Sequence, residues 1–313
     1  MENTSIKFSV VVCTYNPDKD IFEKCIEGIA AAAKILPPHE VLIIDNNSRE
    51  AVEMMTYIRT FLGDYPGAKV IRESKQGLTS ARLRGIKESS GEFIIFVDDD
   101  NFIDEDYFLV ATDIFIRYPF IGAYSGQVTL EYDQEPEEWT RKYWGMLIYR
   151  NLNENVWSNQ PFNNDTMPNG AGLCVSRVVA EHYLKLFEEG KRNFDLDRSK
   201  GSLMSGGDND LAMCACDIGK GMGLFKDLHL MHYIPPERFT LQYLSRLAYG
   251  IYFSSVMLIY MRTGRVDKNT FTQRVKHLLR ISTMKRKDRI IQRSCKKGLK
   301  DAIILIESKQ LEL

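Results

Sequence analysis

Four short apolar segments alternate with helical segments over the first hundred residues of this chain. The apolar segments are FSVVVCTYN, EVLIIDNNS, AKVIRE and EFIIFVDDD, and the sequence between them predicts helices over residues 18–36, 52–62 and 79–88. These segments lack polar alternation and are rich in β-branched residues, which is typical of strands buried on both faces of a sheet. Short parallel strands joined by single helices form a doubly wound sheet. The sequence therefore predicts an α/β fold with a mostly parallel sheet.

Beyond residue 121 this regular alternation breaks down. Further strands are predicted in AYSGQV, NGAGLCVSR and GLFKDLHLMHYIPP, and a polar stretch carries all three tryptophans, at positions 139, 144 and 157. Regular winding followed by irregular structure suits a nucleotide-binding half followed by a mixed-sheet substrate half, whose pocket we expect residues 139–172 to shape. We predict one large domain over residues 1–235 and a helical, basic appendage over residues 236–313.

The net charge of −1 conceals an uneven distribution of charge. Residues 262–300 contain fourteen Lys or Arg and two Asp, an excess of twelve positive charges, so the rest of the chain carries −13. This basic tail follows an apolar stretch at residues 247–261. The combination predicts either peripheral attachment to an anionic membrane surface or a packed helical appendage with a solvated basic face.

The spacing of the cysteines and the sequence of the N-terminus indicate the cellular compartment. The six cysteines, at positions 13, 25, 174, 214, 216 and 295, have no disulfide-framework spacing, which favours a reducing cytosol. Cys214 and Cys216 lie two apart, so on a helix they share no face, and we expect small core residues there rather than a metal site. No secretory signal is predicted, and the apolar stretch is short for a membrane span. We expect a cytoplasmic protein, either soluble or peripheral at the inner face of the membrane.

Three adjacent carboxylates, Asp98, Asp99 and Asp100, follow the fourth predicted strand. Their mutual repulsion must be offset by a favourable interaction. The structural alternative is that one of them caps the next helix, but a cap needs only one carboxylate, and Asp104 is better placed for it. Ligands bind at the carboxyl ends of strands in open α/β sheets. The chain contains neither a G-x-x-x-x-G-K-[ST] loop nor a correctly spaced dinucleotide turn. Clustered carboxylates suit Mg²⁺ or Mn²⁺, which complete their coordination with phosphate oxygens, so we expect a nucleoside diphosphate group here.

Five motifs in order resemble those of the inverting family 2 glycosyltransferases of GT-A fold. They are VVVCTYN, IIDNNS, KQGLTSAR, FVDDDN and GGDNDL, and the resemblance covers roughly residues 7–235. It implies a GT-A fold, with a Rossmann-like nucleotide half and a mixed-sheet acceptor half. The basic tail lies outside the resemblance.

The resemblance implies donor-binding roles for several residues. Thr14 and Asn16 would contact the nucleotide base, Asp45 the base or ribose, and Arg82 the diphosphate. Each also has a structural reading: Asn16 begins an ordinary Asn-Pro turn, Asp45 caps a helix, and Arg82 lies on a helix surface.

The acidic triplet and a histidine supply the implied metal site. Asp98 would face the ribose and Asp100 the metal, while Asp99 has no clear role. His232 occupies the position at which some relatives contribute a metal ligand or touch the phosphates, although a strand histidine is more often structural. His229, three residues earlier on the same strand, should point to the opposite face.

Asp208 matches the position of the catalytic base in the family. It precedes Leu211 by three residues, at the start of a predicted helix, where a cap is the structural alternative. The residue before this Asp is often Glu in the family but is Gly207 here. This departure leaves room for Asp210 to share the role.

Together these features imply an inverting, Mg²⁺- or Mn²⁺-dependent glycosyltransferase. Its partners would be a nucleotide-sugar donor and a glycan or lipid-linked acceptor, with no nucleic acid, in surface polysaccharide or glycolipid synthesis. Two alternatives stay open. A sugar-1-phosphate nucleotidyltransferase would need a Gly-rich basic loop where the chain has TYNPDKD, and a non-catalytic nucleotide-sugar-binding protein would lack a competent base, for which the altered GGDND leaves room.

Overall fold

The computed structural model of the protein describes residues 6–192, 203–266 and 284–310. The chain forms two compact units. The first comprises Met1–Tyr132, Ile148–Asn193 and Gly207–Ile234, and the second comprises Asp133–Leu147, Phe194–Gly206 and Pro235–Leu313. The second unit thus takes in two segments that the sequence-based division at residue 235 assigns to the first domain.

The first unit begins with the predicted parallel sheet, in the strand order β3-β2-β1-β4. All side chains of the two strands β1 and β2 are buried, which explains their lack of polar alternation. The elements are β1 (Phe8–Thr14), α1 (Lys19–Ile35), β2 (Glu40–Asp45), α2 (Thr56–Asp64), β3 (Ala68–Arg72), α3 (Leu78–Glu88) and β4 (Phe93–Asp98).

Helix α1 shows how the sequence sets these elements. Asp18 caps it by accepting hydrogen bonds from the amides of Asp20 and Ile21, at 3.1 and 3.2 Å. Its buried residues recur at helical spacing and pack into the main core: Phe22, Cys25, Ile26, Ile29 and Ala32.

Beyond β4 the sheet becomes mixed, in the order β4-β8-β6-β9-β5, and β7 also pairs with β9. Strand β8 is antiparallel to both β4 and β6, whereas β6 and β9 are parallel. The elements are β5 (Asn101–Ile103), α4 (Tyr107–Arg117), β6 (Ile121–Glu131), β7 (Val156–Ser158), β8 (Cys174–Ser176), α5 (Arg177–Glu188), α6 (Gly207–Asp217) and β9 (Gly221–Tyr233).

Two local expectations need correction. The segment NGAGLCVSR forms a strand only over Cys174–Ser176, and its earlier part is a loop in which Gly172 adopts a positive φ of 65°. Asp104 does not cap α4, because the N-cap is Asp106, and the Asp104 carboxylate instead contacts His229 Nδ1 at 2.8 Å.

The second unit is helical. Two 3₁₀ segments, Glu138–Leu147 and Pro236–Phe239, accompany α7 (Leu241–Thr263) and α8 (Arg286–Gln310). Thr240 caps α7 by accepting a hydrogen bond from the Tyr243 amide at 3.2 Å. On α8, apolar residues at helical spacing are buried: Ile291, Cys295, Ala302 and Ile306.

Helix α7 is the one helix among the described residues that is long and apolar enough to cross a membrane. Its mean hydropathy is 1.2, and 39% of the relevant window is buried within the protein. The core helices of soluble proteins meet the same criteria of length and composition. Part of the basic stretch predicted for the tail, residues 267–283, lies outside the described residues.

Candidate active site

Three predicted site residues end three neighbouring parallel strands. Thr14 is the last residue of β1 and pairs with Asp45, the last residue of β2. On the other side of β1, Cys13 pairs with Asp98, the last residue of β4. Because the carboxyl ends of parallel strands share one edge, these side chains lie along the edge at which such sheets bind ligands. We call Thr14, Asp45 and residues 98–100 the donor edge.

Asp99 and Asp100, the last two residues of the triplet, contact different partners. Asp99 accepts a hydrogen bond of 2.6 Å from the Thr14 hydroxyl, which ties it back to β1. Asp100 Oδ2 lies 3.4 Å from Nε2 of His232, whose ring is 6% exposed. The pairing of β5 with β9 sets this contact, because Asn101 lies opposite His232 and the Asp100 carbonyl accepts from the Tyr233 amide.

The donor set around Asp100 fits a divalent cation. Carboxylate oxygens are the preferred ligands of Mg²⁺ and Mn²⁺, and an imidazole nitrogen can complete such a set. Beneath the triplet, the Cys25 thiol lies within 3.5 Å of the Asp98 carbonyl. Burial raises the pKa of Cys25, and the charges of Asp99, Asp100 and Asp98 raise it further. The sulfur therefore stays neutral and adds no negative charge to the site.

Asn16 lies in the turn after β1, at the end of the donor edge. Its φ of 47° is left-handed, a conformation that asparagine tolerates better than most residues. Its amide donates to Ser48 Oγ, and its side-chain oxygen accepts from the Arg49 amide, both at 2.9 Å. These bonds join the turns after β1 and β2 into one rim.

Asp45 is 2% exposed and already has protein partners. Its Oδ1 accepts from the Ser48 amide at 2.8 Å, and its Oδ2 lies 3.3 Å from Arg72 Nη1. The structural reading of Asp45 is thus a turn cap and not the helix cap weighed from the sequence. A contact from Asp45 to a donor stays a prediction.

Asn46, which the sequence analysis did not single out, links this rim to helix α3. Its side-chain amide donates to the Lys75 carbonyl at 2.8 Å, and its side-chain oxygen accepts from the Gly77 amide at 2.7 Å. The quoted motif IIDNNS contains this residue, but the pattern gives no sign that its side chain reaches a loop about thirty residues later.

A second cluster surrounds Asp208, in the first turn of α6. Asp208 Oδ2 accepts a hydrogen bond of 2.7 Å from the Gly170 amide, and Oδ1 accepts one of 2.9 Å from the Asn209 amide. A Cβ atom at Gly170 would lie 2.6 Å from Arg82 Nη2 and 3.1 Å from Asp208 Oδ2. The Arg82 guanidinium and the Asp208 carboxylate therefore crowd the same side of this glycine. We call Arg82, Gly170 and Asp208 the base cluster.

The charges around Asp208 favour a carboxylate. Arg82 is 3% exposed, so its cation lies in a poorly solvated environment beside Asp208. Arg150 is also within electrostatic range, since burial lowers its pKa and the Asp208 charge raises it. Nearby cations stabilise the ionised form of a carboxyl group. Asp208 is partly exposed, so an incoming group can reach it.

A short loop connects the base cluster to the strand that carries the acidic triplet. The Leu173 carbonyl accepts a hydrogen bond of 2.8 Å from the Phe96 amide, two residues before Asp98 in β4. Three residues before Leu173, Gly170 donates to Asp208. The loop therefore anchors the carboxylate of α6 to the part of the sheet that ends in the donor edge.

Asp210, the other acidic residue of GGDND, has a structural partner. Its Oδ2 lies 2.7 Å from Arg192 Nε, and the two side chains are 2% and 8% exposed. A carboxylate held in a buried ion pair is poorly placed to accept a proton from a substrate. Asp208 is partly exposed whereas Asp210 is buried, and the identity of the base stays a prediction.

The remaining sequence candidates lie away from these clusters. His229 contacts Asp104 and Thr129, whereas His232 contacts Asp100. The proposed acceptor segment, residues 139–172, is divided between the two units. Trp139 and Trp144 lie in the 3₁₀ segment of the second unit, whereas Trp157 is 51% exposed on β7 of the first.

Comparisons with known proteins agree with this architecture. The family model described as Glycosyl transferase family 2 matches residues 9–168, just over half of the chain. The matched segment includes the donor edge and Arg82.

Several curated relatives match over shorter stretches. An uncharacterized glycosyltransferase, YibD of Escherichia coli, is 30% identical over 102 residues, which are 32% of this chain and 28% of that protein. Glycosyltransferase AglE of Haloferax volcanii is 31% identical, over 32% of each chain. A glucosyl-dolichyl phosphate glucuronosyltransferase of the same organism is 24% identical over 45% of each. The chain thus spans less than half the length of these relatives.

One solved structure shows the same fold. A crystal structure of GalNAc-T7 with UDP, GalNAc and Mn²⁺ aligns with a TM-score of 0.50 and 13% sequence identity. The alignment covers 74% of this chain and 44% of that protein. This likeness confirms the predicted GT-A type of mixed α/β fold.

Proposed function

Because the chain belongs to glycosyl transferase family 2, we propose that it is an inverting, metal-dependent glycosyltransferase. It moves a sugar from a nucleotide-sugar donor to an acceptor hydroxyl in surface polysaccharide or glycolipid synthesis. The observation that supports this most is the anchoring of Asp208 to Gly170, in a loop hydrogen-bonded beside the strand that ends in the acidic triplet. One loop thereby connects the carboxylate of α6 to the strand that ends in the acidic triplet.

In this proposal the donor edge binds the nucleotide. Thr14, Asn16 and Asp45 lie at the ends of β1 and β2, where they would contact the base and ribose, and Asp98 would contact the ribose. Asp100 and His232 would hold Mg²⁺ or Mn²⁺. When bound, such an ion neutralises negative charge on the leaving diphosphate.

Asp208 acts as the general base. An acceptor hydroxyl gives its proton to an Asp208 carboxylate oxygen while its own oxygen bonds to the anomeric carbon of the sugar. The bond from that carbon to the diphosphate oxygen breaks, and the nucleoside diphosphate leaves with the electron pair. Arg82 has two compatible tasks here, because a cation beside Asp208 keeps the base ionised and can also face the departing phosphate.

A panel of nucleotide sugars tests the proposal. We expect one donor to release its nucleoside diphosphate in the presence of Mn²⁺ or Mg²⁺ and a chelator to abolish the release. Proton NMR of the product should show an anomeric configuration opposite to that of the donor. Binding of a nucleotide sugar without turnover on any acceptor would favour a non-catalytic binding protein. Incorporation of a sugar 1-phosphate into a nucleotide would favour a nucleotidyltransferase.

We also propose that the protein works at the cytoplasmic face of a membrane, where lipid-linked acceptors are found. Apolar side chains remain exposed on the helices of the second unit, including Tyr252 and Ile259 on α7 and Ile304 on α8. The region around them is rich in Lys and Arg, and basic helices with exposed apolar groups bind anionic bilayers. One relative is named for a dolichyl phosphate-linked sugar, which supports a lipid-linked acceptor.

Sedimentation with vesicles tests this second part. The full chain should sediment with anionic vesicles at low salt, and release at high salt should follow from screening. Neutral vesicles of the same size provide the control. Failure to sediment with anionic vesicles at low salt would exclude the membrane proposal and leave the catalytic one untouched.

A further inference from the structure

Helices α5 and α6 together present three potential metal ligands outside the active site. His182 on α5 and Cys214 and Asp217 on α6 have ligand atoms that all lie within 4.8 Å of one another. Cys214 and Asp217 are three residues apart and therefore share a face of α6. His182 Nε2 lies 3.8 Å from Asp217 Oδ2, which is too long for a hydrogen bond.

The spacing of these atoms suits a small tetrahedral ion. Zinc binds sulfur and nitrogen ligands at roughly 2.3 and 2.0 Å, so its ligand atoms lie roughly 3.3–3.8 Å apart. The observed separations exceed that range by about 1 Å at most, which side-chain rotation can supply. The His182 and Asp217 side chains are 29% and 31% exposed, so an ion can enter from solvent and keep a water ligand.

The chemistry of the three groups selects the kind of ion. A thiolate is a soft ligand that favours zinc over Mg²⁺ or Mn²⁺, and it is the ligand that the site at Asp100 does not have. This donor set therefore differs from the carboxylate-rich set at Asp100. We expect the site at Asp100 to bind Mg²⁺ or Mn²⁺ and the site at Cys214 to bind Zn²⁺.

We propose that His182, Cys214 and Asp217 bind one Zn²⁺, with water in the fourth position. The ion ties the last turn of α6 to α5. Helix α6 spans Gly207–Asp217, so the helix that begins beside Asp208 ends in this clamp. The site is a structural clamp and does not depend on the proposed transfer reaction.

Cobalt provides a direct spectroscopic probe. Purified full-length protein is reduced, stripped of metal and titrated with Co²⁺ in the presence of excess Mg²⁺, which competes for the carboxylates at Asp100. A thiolate ligand should produce a sulfur-to-cobalt charge-transfer band in the near ultraviolet, which saturates at one ion per chain and disappears on addition of Zn²⁺. Zn²⁺ should also raise the melting temperature, because it binds the folded state.

The chain offers a matched control. Cys214→Ser should abolish the band, whereas Cys216→Ser, two residues along the same helix, should retain it. His182→Gln replaces a partly exposed ligand with little risk to folding, and it should weaken Co²⁺ binding by more than about tenfold. Asp100→Ala should leave the band unchanged.

Three results would overturn the proposal: absence of a charge-transfer band in the wild type, a band that survives Cys214→Ser, and unchanged Co²⁺ affinity in His182→Gln. None of these readouts involves sugar transfer. A failed glycosyltransferase assay would therefore leave the zinc proposal standing, and a failed cobalt titration would not affect the proposed enzyme.

Discussion

The donor edge and the base cluster are built in different ways. At the donor edge, Thr14, Asp45 and Asp98 each end a parallel strand, so strand order alone brings them together. In the base cluster, the Gly170 amide and the Asp208 carboxylate are 38 residues apart in sequence and meet through one hydrogen bond. The first arrangement is a property of the sheet and the second depends on a loop. We therefore expect changes at the donor edge to alter binding and changes at Gly170 and Asp208 to alter rate.

The largest expected effect comes from Asp208→Asn. The amide keeps the shape of the carboxylate and can still accept from Gly170, but it cannot take a proton. A positioned base contributes about a hundred- to ten-thousand-fold to rate, so kcat should fall by that factor in a steady-state transfer assay. A fall of less than about tenfold would show that the base lies elsewhere.

Asp100→Ala should have the next largest effect, and it should act on binding. The substitution removes the carboxylate that lies 3.4 Å from His232. Loss of a direct ligand should cost at least the roughly 10- to 100-fold in metal affinity that outer-shell changes typically cost. Calorimetry with a nucleoside diphosphate should show that Mn²⁺ no longer strengthens binding. If both the variant and the wild type bind the nucleoside diphosphate equally well with Mn²⁺ and with chelator, the assignment of a metal to this site is wrong.

Gly170→Ala tests whether the loop positions the base. The new methyl group would lie 2.6 Å from Arg82 Nη2 and 3.1 Å from Asp208 Oδ2, so at least one of them must move. A displacement of about 1 Å can cost as much as about a hundredfold in rate, and we expect kcat to fall by about tenfold or more. Gly63→Ala is the matched control, because no atom lies within 4 Å of its added methyl group. Equal kcat values in the two variants would refute a positioning role for the loop.

Asp210→Asn should have the smallest effect on turnover. Its partner Arg192 would be left in a buried position, and breaking a buried ion pair costs about 3–5 kcal/mol of folding stability. The melting temperature should therefore fall while kcat per folded molecule stays near the wild-type value. A stable variant that has lost turnover would move the base from Asp208 to Asp210.

The sequence predicted the donor edge better than the base cluster, for a physical reason. Buried strands have a strong apolar signature, and the residues that follow them necessarily reach the same edge, which is why Asp98 and Asp45 could be located. Gly170 has no such signature, because its importance comes from the missing side chain between Arg82 and Asp208.

Other contacts were missed for a related reason. The link from Asn46 to Gly77 and the pairing of Arg192 with Asp210 join segments whose separation in sequence follows no helical or strand period. The same holds for His182, which meets Cys214 only because α5 packs on α6. Cys214 and Cys216 lie two residues apart and share no face of α6, whereas Cys214 and Asp217 lie three apart and do.

The most direct test of separate binding and catalytic sites is a calorimetric titration of Asp208→Asn with the nucleoside diphosphate of the active donor. The titration is performed with Mn²⁺ present, on protein whose kcat has already been measured. We expect a Kd equal to that of the wild type together with a loss of turnover of at least about a hundredfold. A Kd weakened as strongly as that of Asp100→Ala, or a turnover close to that of the wild type, would contradict this expectation.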